Sequence, residues 1–437
     1  MTIDTNKVKA MRQAHKVLAE YIYDPAPLNK GYSGQTLYIN LTDNIIESRP
    51  VTDVMKEIFI GGRGFGLWRL WNAVNGDTKW DSPENEIVIS SGPLGGTTNF
   101  PGSGKSLCVS ISPTTNSVVD SNVGGYFGPL LKFAGWDAIE VQGKAENDVI
   151  VFIDGNKGHI TIEEAPGAST DSYPVGEEVL AMFADTEKEK RDISSVSAGT
   201  GANHSLFGCL NFSWYDLRRQ RVRLKQAGRG GIGTVFRDKG LKALVVKRSG
   251  VNSESNAPAD RQRVEKVGIK MHREMHDFDH LQCHMRTVGT AHLVEIMDDY
   301  DLLPTHNFKF GRHEEAKNLY SDFYLNAFNQ TTMDGCWFGC TMSCSKGMDG
   351  FELRTGPYKG QIVTVDGPEY ETVAGCGSNL GVFEPHWVGE YNYYCDTYGL
   401  DTISFGTAMA FVMECYENGI LNQEITGGLD LRFGNAE

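Results

Sequence analysis

Short apolar or alternating segments recur between about residues 34 and 250, and they predict β-strands. The segments are 36–41, 45–51, 86–90, 106–112, 138–143, 149–154 and 159–165. The sequence Gly155-Asn156-Lys157-Gly158 predicts a hairpin turn between the last two. Helical spacing interrupts the strands near 53–60, 62–74 and 175–190. Because few helices separate so many strands, the pattern predicts antiparallel sheets rather than a βαβ array.

A separate helical pattern begins the chain. Residues 4–24 carry apolar side chains at near-helical spacing, namely Val8, Met11, Leu18, Tyr21 and Ile22. Asp4 or Thr5 is suited to cap this helix, and Pro25 and Pro27 would end it. The pattern predicts an arm that packs on its own domain, with a partner-docking element as the alternative.

The pattern changes again in the second half of the chain. Residues 249–262 are polar and poor in apolar anchors, which indicates a linker. Residues 262–300 and 385–420 then show helical periodicity, and Asn418-Gly419 is suited to end the last helix. The predicted fold class is therefore α+β. The predicted domains are a helical extension (1–32), a β-rich domain (33–250) and a mainly helical domain (251–437).

Composition narrows the class of protein. Hydrophobic residues make up 40% and charged residues 22% of the 437, as is usual for a soluble globular chain. The 50 glycines exceed the average share of ~7%, and their clustering indicates tight turns and close backbone approach to a ligand. A net charge of −15 argues against a nucleic-acid partner. With no apolar run that suits a membrane span and no secretory signal, a cytoplasmic protein is expected.

Nine cysteines occur in the chain, and their odd number, the size of the chain and the lack of a visible export signal argue against a disulfide framework. Three of them, Cys336, Cys340 and Cys344, fall within nine residues. Soft thiolates at this spacing suit one side of an iron–sulfur cluster. Structural zinc and unligated core thiols remain the alternatives, although no second Cys or His pair follows nearby.

A glycine-rich segment with basic residues suits phosphate. In Lys225-Gln226-Ala-Gly228-Arg229-Gly-Gly-Ile-Gly, backbone N–H groups combine with a lysine and an arginine. A structural turn is the alternative. The segment Pro101-Gly-Ser-Gly-Lys105-Ser ends like a nucleotide-binding P-loop, but position 99, where the first glycine is needed, is Asn. Nucleotide hydrolysis is therefore not expected.

Three further segments carry polar groups suited to a ligand. They are Asn122 beside Gly124, the pair Glu369 and Glu371, and Asp396 and Asp401 in one turn. Paired carboxylates suit acid–base chemistry, and an acid–glycine–acid turn suits a nitrogen-rich ring. For each segment the alternative is an ordinary turn or a helix cap.

The motifs also follow one another in a particular order. The series is Gly61-Gly-Arg-Gly-Phe-Gly66, Ser82-Pro-Glu-Asn-Glu, Ser91-Gly-Pro-Leu-Gly, Gly124-Gly-Tyr-Phe-Gly-Pro-Leu-Leu-Lys-Phe-Ala-Gly-Trp-Asp137, Ala227-Gly-Arg-Gly-Gly-Ile-Gly, Lys239-Gly-Leu-Lys-Ala, the three cysteines, Gly367-Pro-Glu-Tyr-Glu371 and Cys395-Asp-Thr-Tyr-Gly-Leu-Asp-Thr-Ile-Ser404. This series resembles the aldehyde:ferredoxin oxidoreductase family over about residues 33–437. So many motifs in one order make chance agreement very improbable.

The resemblance implies an N-terminal base of two β-sheets that holds a tungsten (or molybdenum) bis-pterin, a magnesium ion and a [4Fe-4S] cluster. By resemblance, the pterin phosphates would be lined by Gly124, Lys225, Gly228 and Arg229, and one pterin bound by Asp396, Leu400 and Asp401. The magnesium would be held by Asn122 and the Gln226 carbonyl, with Lys105 between pterin and cluster. The cluster would be ligated by Cys336, Cys340 and Cys344, with Glu371 near the metal as proton acceptor or donor.

Two positions differ from the common family pattern. The cysteines are spaced CxxxCxxxC rather than CxxCxxxC, and Lys105 stands where arginine is common. Both differences are expected to alter the environment and potential of the cluster. Family members also continue for roughly another third, which supplies a fourth cluster cysteine and a second pterin-binding turn. A second chain or further sequence is therefore expected to complete the site.

The implied function is oxidation of aldehydes to carboxylic acids, with electrons passing through the cluster to ferredoxin or a ferredoxin-like subunit. The residues before 33 are candidates to dock that subunit. An alternative within the family is a reductase subunit that acts on acids or aromatic acyl-CoA in a larger complex. An alternative from another class is an electron-transfer or assembly subunit without its own catalytic metal.

Overall fold

The structure is a computed structural model that describes residues 4–165, 170–252, 254–281, 284–328 and 334–436. The chain divides into two compact units. The first comprises Met1–Met271, Cys336–Cys340 and Asp396–Leu400, and the second His272–Gly335, Thr341–Cys395 and Asp401–Glu437. Residues 1–3 of the predicted extension lie outside the described residues.

The strands of the first unit form two sheets. They are β1 (Lys16–Ile22), β2 (Gln35–Asn40), β3 (Ile45–Pro50), β4 (Ile87–Ser90), β5 (Ser106–Ile111), β6 (Val118–Val123), β7 (Ala138–Gln142), β8 (Val149–Asp154), β9 (His159–Glu164), β10 (Ile193–Ser197), β11 (Leu210–Asp216), β12 (Arg221–Ala227) and β13 (Leu241–Lys247). The larger sheet has the order β1-β9-β8-β13-β10-β11-β12, and the smaller has β3-β2-β7-β4-β5-β6. The seven strands predicted from alternation are confirmed, as is the turn between β8 and β9.

Strand direction departs from the prediction at two places. The pairs β2–β7 and β8–β13 are parallel, whereas the other pairs in both sheets are antiparallel. Both parallel pairs join strands that are far apart in the chain, so no hairpin turn fixes their direction. An all-antiparallel arrangement was therefore wrong for these two pairs, although the predicted α+β class is confirmed.

Six α-helices among the described residues lie wholly within the first unit. They are α1 (Thr5–Gln13), α2 (Asp53–Phe59), α3 (Arg63–Ala73), α4 (Phe127–Phe133), α5 (Ser172–Phe183) and α6 (Ile232–Asp238). Helices α4 and α6 are enclosed with one face of each sheet in a single apolar core that includes Phe127, Leu131 and Phe236. Along β8, Val149 and Val151 face this core, whereas Ile150 and Phe152 pack with α5 on the other face. This alternation follows from the pleat of a strand.

The predicted helix over residues 4–24 is wrong beyond residue 13. Asp4 caps α1, because its side chain accepts hydrogen bonds from the Asn6 and Lys7 backbones at 3.0 and 3.1 Å. The chain then enters β1, which pairs antiparallel with β9. A sheet edge that offers backbone partners outweighs a helical side-chain pattern at this length.

The predicted linker is tied to the first unit. Asn256 is 1% exposed, and its Nδ2 donates to the carbonyls of Pro93 (3.0 Å) and Gly95 (2.8 Å). Helix α7 (Arg261–Asp277) begins soon afterwards. Ser253, which belongs to the predicted linker, lies outside the described residues.

The second unit is mainly helical. Its elements are α8 (Met285–Val288), α9 (Leu293–Asp299), α10 (Ser321–Ala327), β14 (Gly347–Glu352), β15 (Ile362–Asp366), α11 (Tyr370–Cys376), α12 (Pro385–Tyr398, of which the residues from Asp396 onward belong to the first unit) and α13 (Thr402–Glu417). A small core forms around Leu380, Val382, Ala410 and Met413, and α13 ends just before Asn418-Gly419, as predicted. None of the helices among the described residues is both long and apolar enough to cross a membrane.

Candidate cofactor and cluster site

Three predicted site residues meet at the end of β6. Gly124 directly follows this strand, and a Cβ placed on it would lie 2.7 Å from Cys336 Sγ and 4.0 Å from Lys105 Nζ. Cys336 is 8% exposed, so its sulfur is enclosed. The absence of a side chain at Gly124 therefore lets the cysteine sulfur and the lysine ammonium approach the same point.

Two lysines near Cys336 favour its thiolate form, although burial leaves the pKa of this thiol above its ordinary value. Burial raises the pKa of the Cys336 thiol, whereas the ammonium groups of Lys105 and Lys225 and a hydrogen bond from the Gly125 backbone lower it. The neighbouring Cys340 opposes them. Because the thiolate is the species that binds metals, the two lysines support ligation at this cysteine.

The predicted phosphate loop lies beside the same strand. The Arg229 backbone N–H donates to Ser121 Oγ at 3.2 Å. A Cβ on Gly230 would lie 2.5 Å from a methyl group of Val119. The loop is thereby fixed next to Asn122, which is exposed in β6. Ser121 was not identified from the sequence, because no motif marks it.

Two features of this loop suit a bound group. Around Gly228, a Cβ would meet Gln226 Cβ at 3.8 Å, which is ordinary contact, so the backbone is not crowded at this position. Gln226 Nε2 is buried and has no hydrogen-bond partner among the described residues. A buried amide donor without a partner is costly, so an acceptor supplied by a ligand would stabilise it.

The turn with Asp396 and Leu400 is fixed to the first unit. The Cys209 backbone N–H donates to the Gly399 carbonyl at 2.8 Å, and Asn211 Nδ2 donates to the Asp396 carbonyl at 3.1 Å. Leu400 forms an antiparallel bridge with Gly208. The turn is therefore held next to the larger sheet, at the start of β11.

Asp401 acts as a helix cap in the second unit. Its two carboxylate oxygens accept hydrogen bonds from the Ile403 backbone (3.0 Å) and from Ser404 Oγ (2.6 Å). This is the capping alternative considered for the acid–glycine–acid turn. A carboxylate oxygen accepts more than one hydrogen bond, so a pterin contact by Asp401 stays a prediction.

Cys344 and Glu371 also belong to the second unit. Cys344 forms a parallel bridge with Asp334, and Glu371 is exposed in the first turn of α11. In the part of the chain that the structure describes, no group of three or more His, Cys, Asp and Glu side chains is placed to hold a metal ion. Joint ligation by the three cysteines therefore stays a prediction.

The P-loop resemblance at Lys105 has no structural support. A P-loop lysine precedes a helix whose N-terminus binds phosphate, whereas Lys105 leads directly into β5. The residues that come together are Cys336, Lys105 and Lys225. The glycine-rich loop that contains Arg229 lies beside the end of β6, where Asn122 is found. Soft anionic and cationic groups of this kind fit an iron–sulfur cluster beside a phosphorylated cofactor.

Two family models match the chain. The model described as "Aldehyde ferredoxin oxidoreductase, N-terminal domain" matches residues 36–248, and the model described as "Aldehyde ferredoxin oxidoreductase, domains 2 & 3" matches residues 266–437. These two ranges include all the site residues predicted from the resemblance.

Individual proteins are similar over most of the chain. A tungsten-containing aldehyde ferredoxin oxidoreductase of Pyrococcus abyssi is 32% identical over 93% of this chain and 63% of its own length. The WOR-like subunit of an aliphatic sulfonate oxidoreductase of Pyrococcus furiosus is 31% identical over 93% of this chain and 62% of its own length. The chain thus spans less than two thirds of the length of these relatives.

The fold is similar to a solved structure, the active site complex BamBC of benzoyl coenzyme A reductase in complex with 1,5-dienoyl-CoA. The TM-score is 0.70 at 22% identity, over 93% of this chain and 59% of the other. This likeness supports the fold, and the family models support membership. Because those models together match most of the sequence in the expected order, the chain belongs to the aldehyde ferredoxin oxidoreductase family.

Proposed function

We propose that the chain forms part of a tungsten-pterin oxidoreductase that converts aldehydes and water into carboxylic acids, two protons and two electrons. The electrons leave singly through a [4Fe-4S] cluster to ferredoxin or a ferredoxin-like subunit. The observation that carries the proposal is the approach of Lys105 and Cys336 to the space beside Gly124. That arrangement suits a cluster, and the neighbouring loop suits a pterin phosphate.

The first unit would hold the pterin. The backbone at Gly228 is not crowded and would approach a phosphate, which the Arg229 and Lys225 side chains would neutralise. Asn122 and the Gln226 carbonyl are oxygen donors of the kind that magnesium binds. The Asp396–Leu400 turn, which is fixed by two hydrogen bonds, would contact the ring system of one pterin.

The cofactor, when bound, would supply the oxidation of the substrate carbon, and the protein would supply position and charge. Cys336 is buried, so its sulfur would bind the cluster on the side that faces the protein interior. Lys105 would place a positive charge between the two redox groups. Glu371, an exposed carboxylate, would accept or return the proton of the reacting water.

A second candidate within the family is a reductase subunit for acids or aromatic acyl-CoA. The similar fold of the BamBC complex, which belongs to a benzoyl coenzyme A reductase, supports this candidate. The site residues above are compatible with either direction of electron flow.

Metal content tests the proposal first. The protein is isolated without oxygen, in the complex in which it occurs, and its metals are measured by mass spectrometry. About one tungsten and four iron atoms per chain are expected. Iron without tungsten or molybdenum would contradict the proposal and favour an electron-transfer subunit.

A matched pair of variants assigns the iron to the predicted cysteines. Cys336→Ser should lose iron, while Cys415→Ser, which changes a half-buried thiol outside the site, should keep it. Aldehydes and aromatic acyl-CoA thioesters are then compared with a viologen dye as electron acceptor or donor. Turnover of acyl-CoA but not aldehydes would replace the first candidate with the second.

A further inference from the structure

Trp337 links the segment that carries Cys336 to the segment that carries Lys105. Its indole is 3% exposed, and Nε1 donates to the Thr97 carbonyl at 3.2 Å. A Cβ placed on Gly104 would lie 2.4 Å from Trp337 Cβ. The tryptophan therefore occupies the space that a side chain at Gly104 would need.

A second aromatic ring also contacts the indole. The ring of Tyr126 lies 4.9 Å from the Trp337 ring at 62°, an edge contact of the kind that aromatic pairs favour. Two residues further along, a Cβ on Gly339 would lie 2.5 Å from the Thr98 carbonyl oxygen. The cysteine segment is thus fixed between the loop 97–104 and the residues that follow β6.

These contacts have a consequence for charge. Trp337 directly follows Cys336, and Gly104 directly precedes Lys105, so each contact partner is the sequence neighbour of a residue at the site. A shift of the loop relative to the tryptophan would move the ammonium group relative to the sulfur. The hydrogen bond from Nε1 fixes the indole against such a shift.

We propose that Trp337 is a positioning residue that holds Lys105 beside Cys336 and so sets the reduction potential of the iron–sulfur cluster. The proposal rests on the proposed function, because it requires a cluster at Cys336. A cluster gains negative charge on reduction, so a fixed cation nearby stabilises the reduced form and raises the potential. Loss of either the lysine charge or its position should therefore lower the potential.

The test is a set of redox titrations followed by electron paramagnetic resonance of the reduced cluster. The proteins are the parent, Trp337→Phe, Lys105→Met and the double variant, all isolated without oxygen. Phenylalanine retains the aromatic bulk but cannot donate to the Thr97 carbonyl. Both single variants should have a lower midpoint potential than the parent, and the double variant should match Lys105→Met.

The outcomes separate the possible failures. An unchanged potential in Trp337→Phe would overturn the proposal, and so would an equal further decrease when Trp337→Phe is added to Lys105→Met. If the parent shows no iron–sulfur signal, the proposed function itself fails.

A second pair of variants tests the proposal in case Trp337→Phe does not retain its cluster. Gly104→Ala inserts a methyl group against Trp337, whereas Gly76→Ala inserts one where no atom lies within 4 Å. Gly104→Ala should lower the potential and Gly76→Ala should leave it unchanged. Equal potentials in these two variants would overturn the proposal.

Discussion

Gly124 leaves open the space beside the sulfur of Cys336. A Cβ at position 124 would lie 2.7 Å from Sγ and 2.8 Å from Cys336 Cβ. Cβ atoms in proteins almost never make contacts this short, and both neighbouring atoms belong to a buried residue. The glycine at the end of β6 and the first cysteine of the motif therefore depend on each other, although 212 positions separate them.

Gly124→Ala should remove iron from the protein. The cysteine sulfur has to move by about 1 Å to reach ordinary contact distance, and cluster ligands do not tolerate such a displacement easily. We expect less than about half of the parent's iron per chain after anaerobic isolation. Gly76→Ala is the control, because its methyl group meets no atom within 4 Å. Equal iron in the two variants would show that the sulfur is not placed as described.

Arg229→Gln should weaken retention of the pterin. The side chain is exposed, so its loss costs little packing, but a phosphate partner would lose a charge-assisted hydrogen bond. Such bonds contribute ~1.5–3 kcal/mol, or roughly 10- to 150-fold in binding. Pterin released by denaturation and oxidation is measured by fluorescence. Arg261→Gln, which breaks exposed ion pairs with Glu254 and Glu265, should retain the parent's pterin content.

Asn211→Ala should also reduce pterin content, by releasing the turn that contains Asp396. Asn211 is fully buried, and its Nδ2 donates both to the Asp396 carbonyl at 3.1 Å and to Ser172 Oγ at 2.7 Å. Loss of these bonds should lower the free energy of unfolding by ~1–3 kcal/mol. The same decrease is expected for any buried asparagine, so stability alone does not test the role.

Asn85→Ala separates the two effects. Asn85 is equally buried, and it hydrogen-bonds Ser110 and the backbones of Trp80 and Ile111 away from the Asp396 turn. Both variants should unfold at lower urea concentration, but only Asn211→Ala should lose pterin. If both retain it, the turn does not require the asparagine.

Local sequence patterns were sufficient for much of the fold. The alternation in residues 149–154 predicted β8, because each face of that strand packs against a different apolar layer. The prediction for α2 and α3 was also confirmed, since the chain breaks between them at Gly61-Gly62. Where the signal lies within about ten residues, it identifies the element directly.

Structural features that depend on contacts between distant segments of the chain were not predicted correctly. Residues 16–22 carry a helical spacing but form β1, because β9 offers an edge and Glu163 binds Arg12 at 3.0 Å. The same reason explains the parallel pairing of β8 with β13. Strand direction is decided by packing between segments that the sequence alone does not bring together.

The candidate site was likewise predicted where local motifs mark it and missed where distant contacts decide it. Glycines, lysines and cysteines marked its segments, and the structure brings Lys105, Gly124, Lys225 and Cys336 together. Trp337 lies within the cysteine motif, directly after Cys336, but it was not predicted to be a site residue. Asn211 had none, because its role comes from a hydrogen bond to a residue 185 positions away.

Glu86 provides a test that does not depend on the cofactor. Its carboxylate is fully buried near Glu140, with Arg49 Nη1 at 4.0 Å. Burial and then the charge of Glu140 raise the pKa of Glu86 from 4.5 to about 8, while Arg49 and Arg69 oppose the change. Between these two values the folded protein binds more protons at Glu86 than the unfolded chain does. The free energy of unfolding must therefore fall as pH rises through this range.

Glu86→Gln should remove this part of the pH dependence. At about pH 4, below the ordinary pKa of 4.5, the acid is mostly protonated in both the folded and the unfolded state, so parent and variant should differ little. Near pH 8 the parent carries the cost of a buried charge, and the variant should be the more stable by on the order of a few kcal/mol. Urea unfolding is measured across this range, with Glu57→Gln on exposed α2 as the control. Parallel stability curves for the parent and Glu86→Gln would mean that Glu86 is already ionised in the folded protein at low pH.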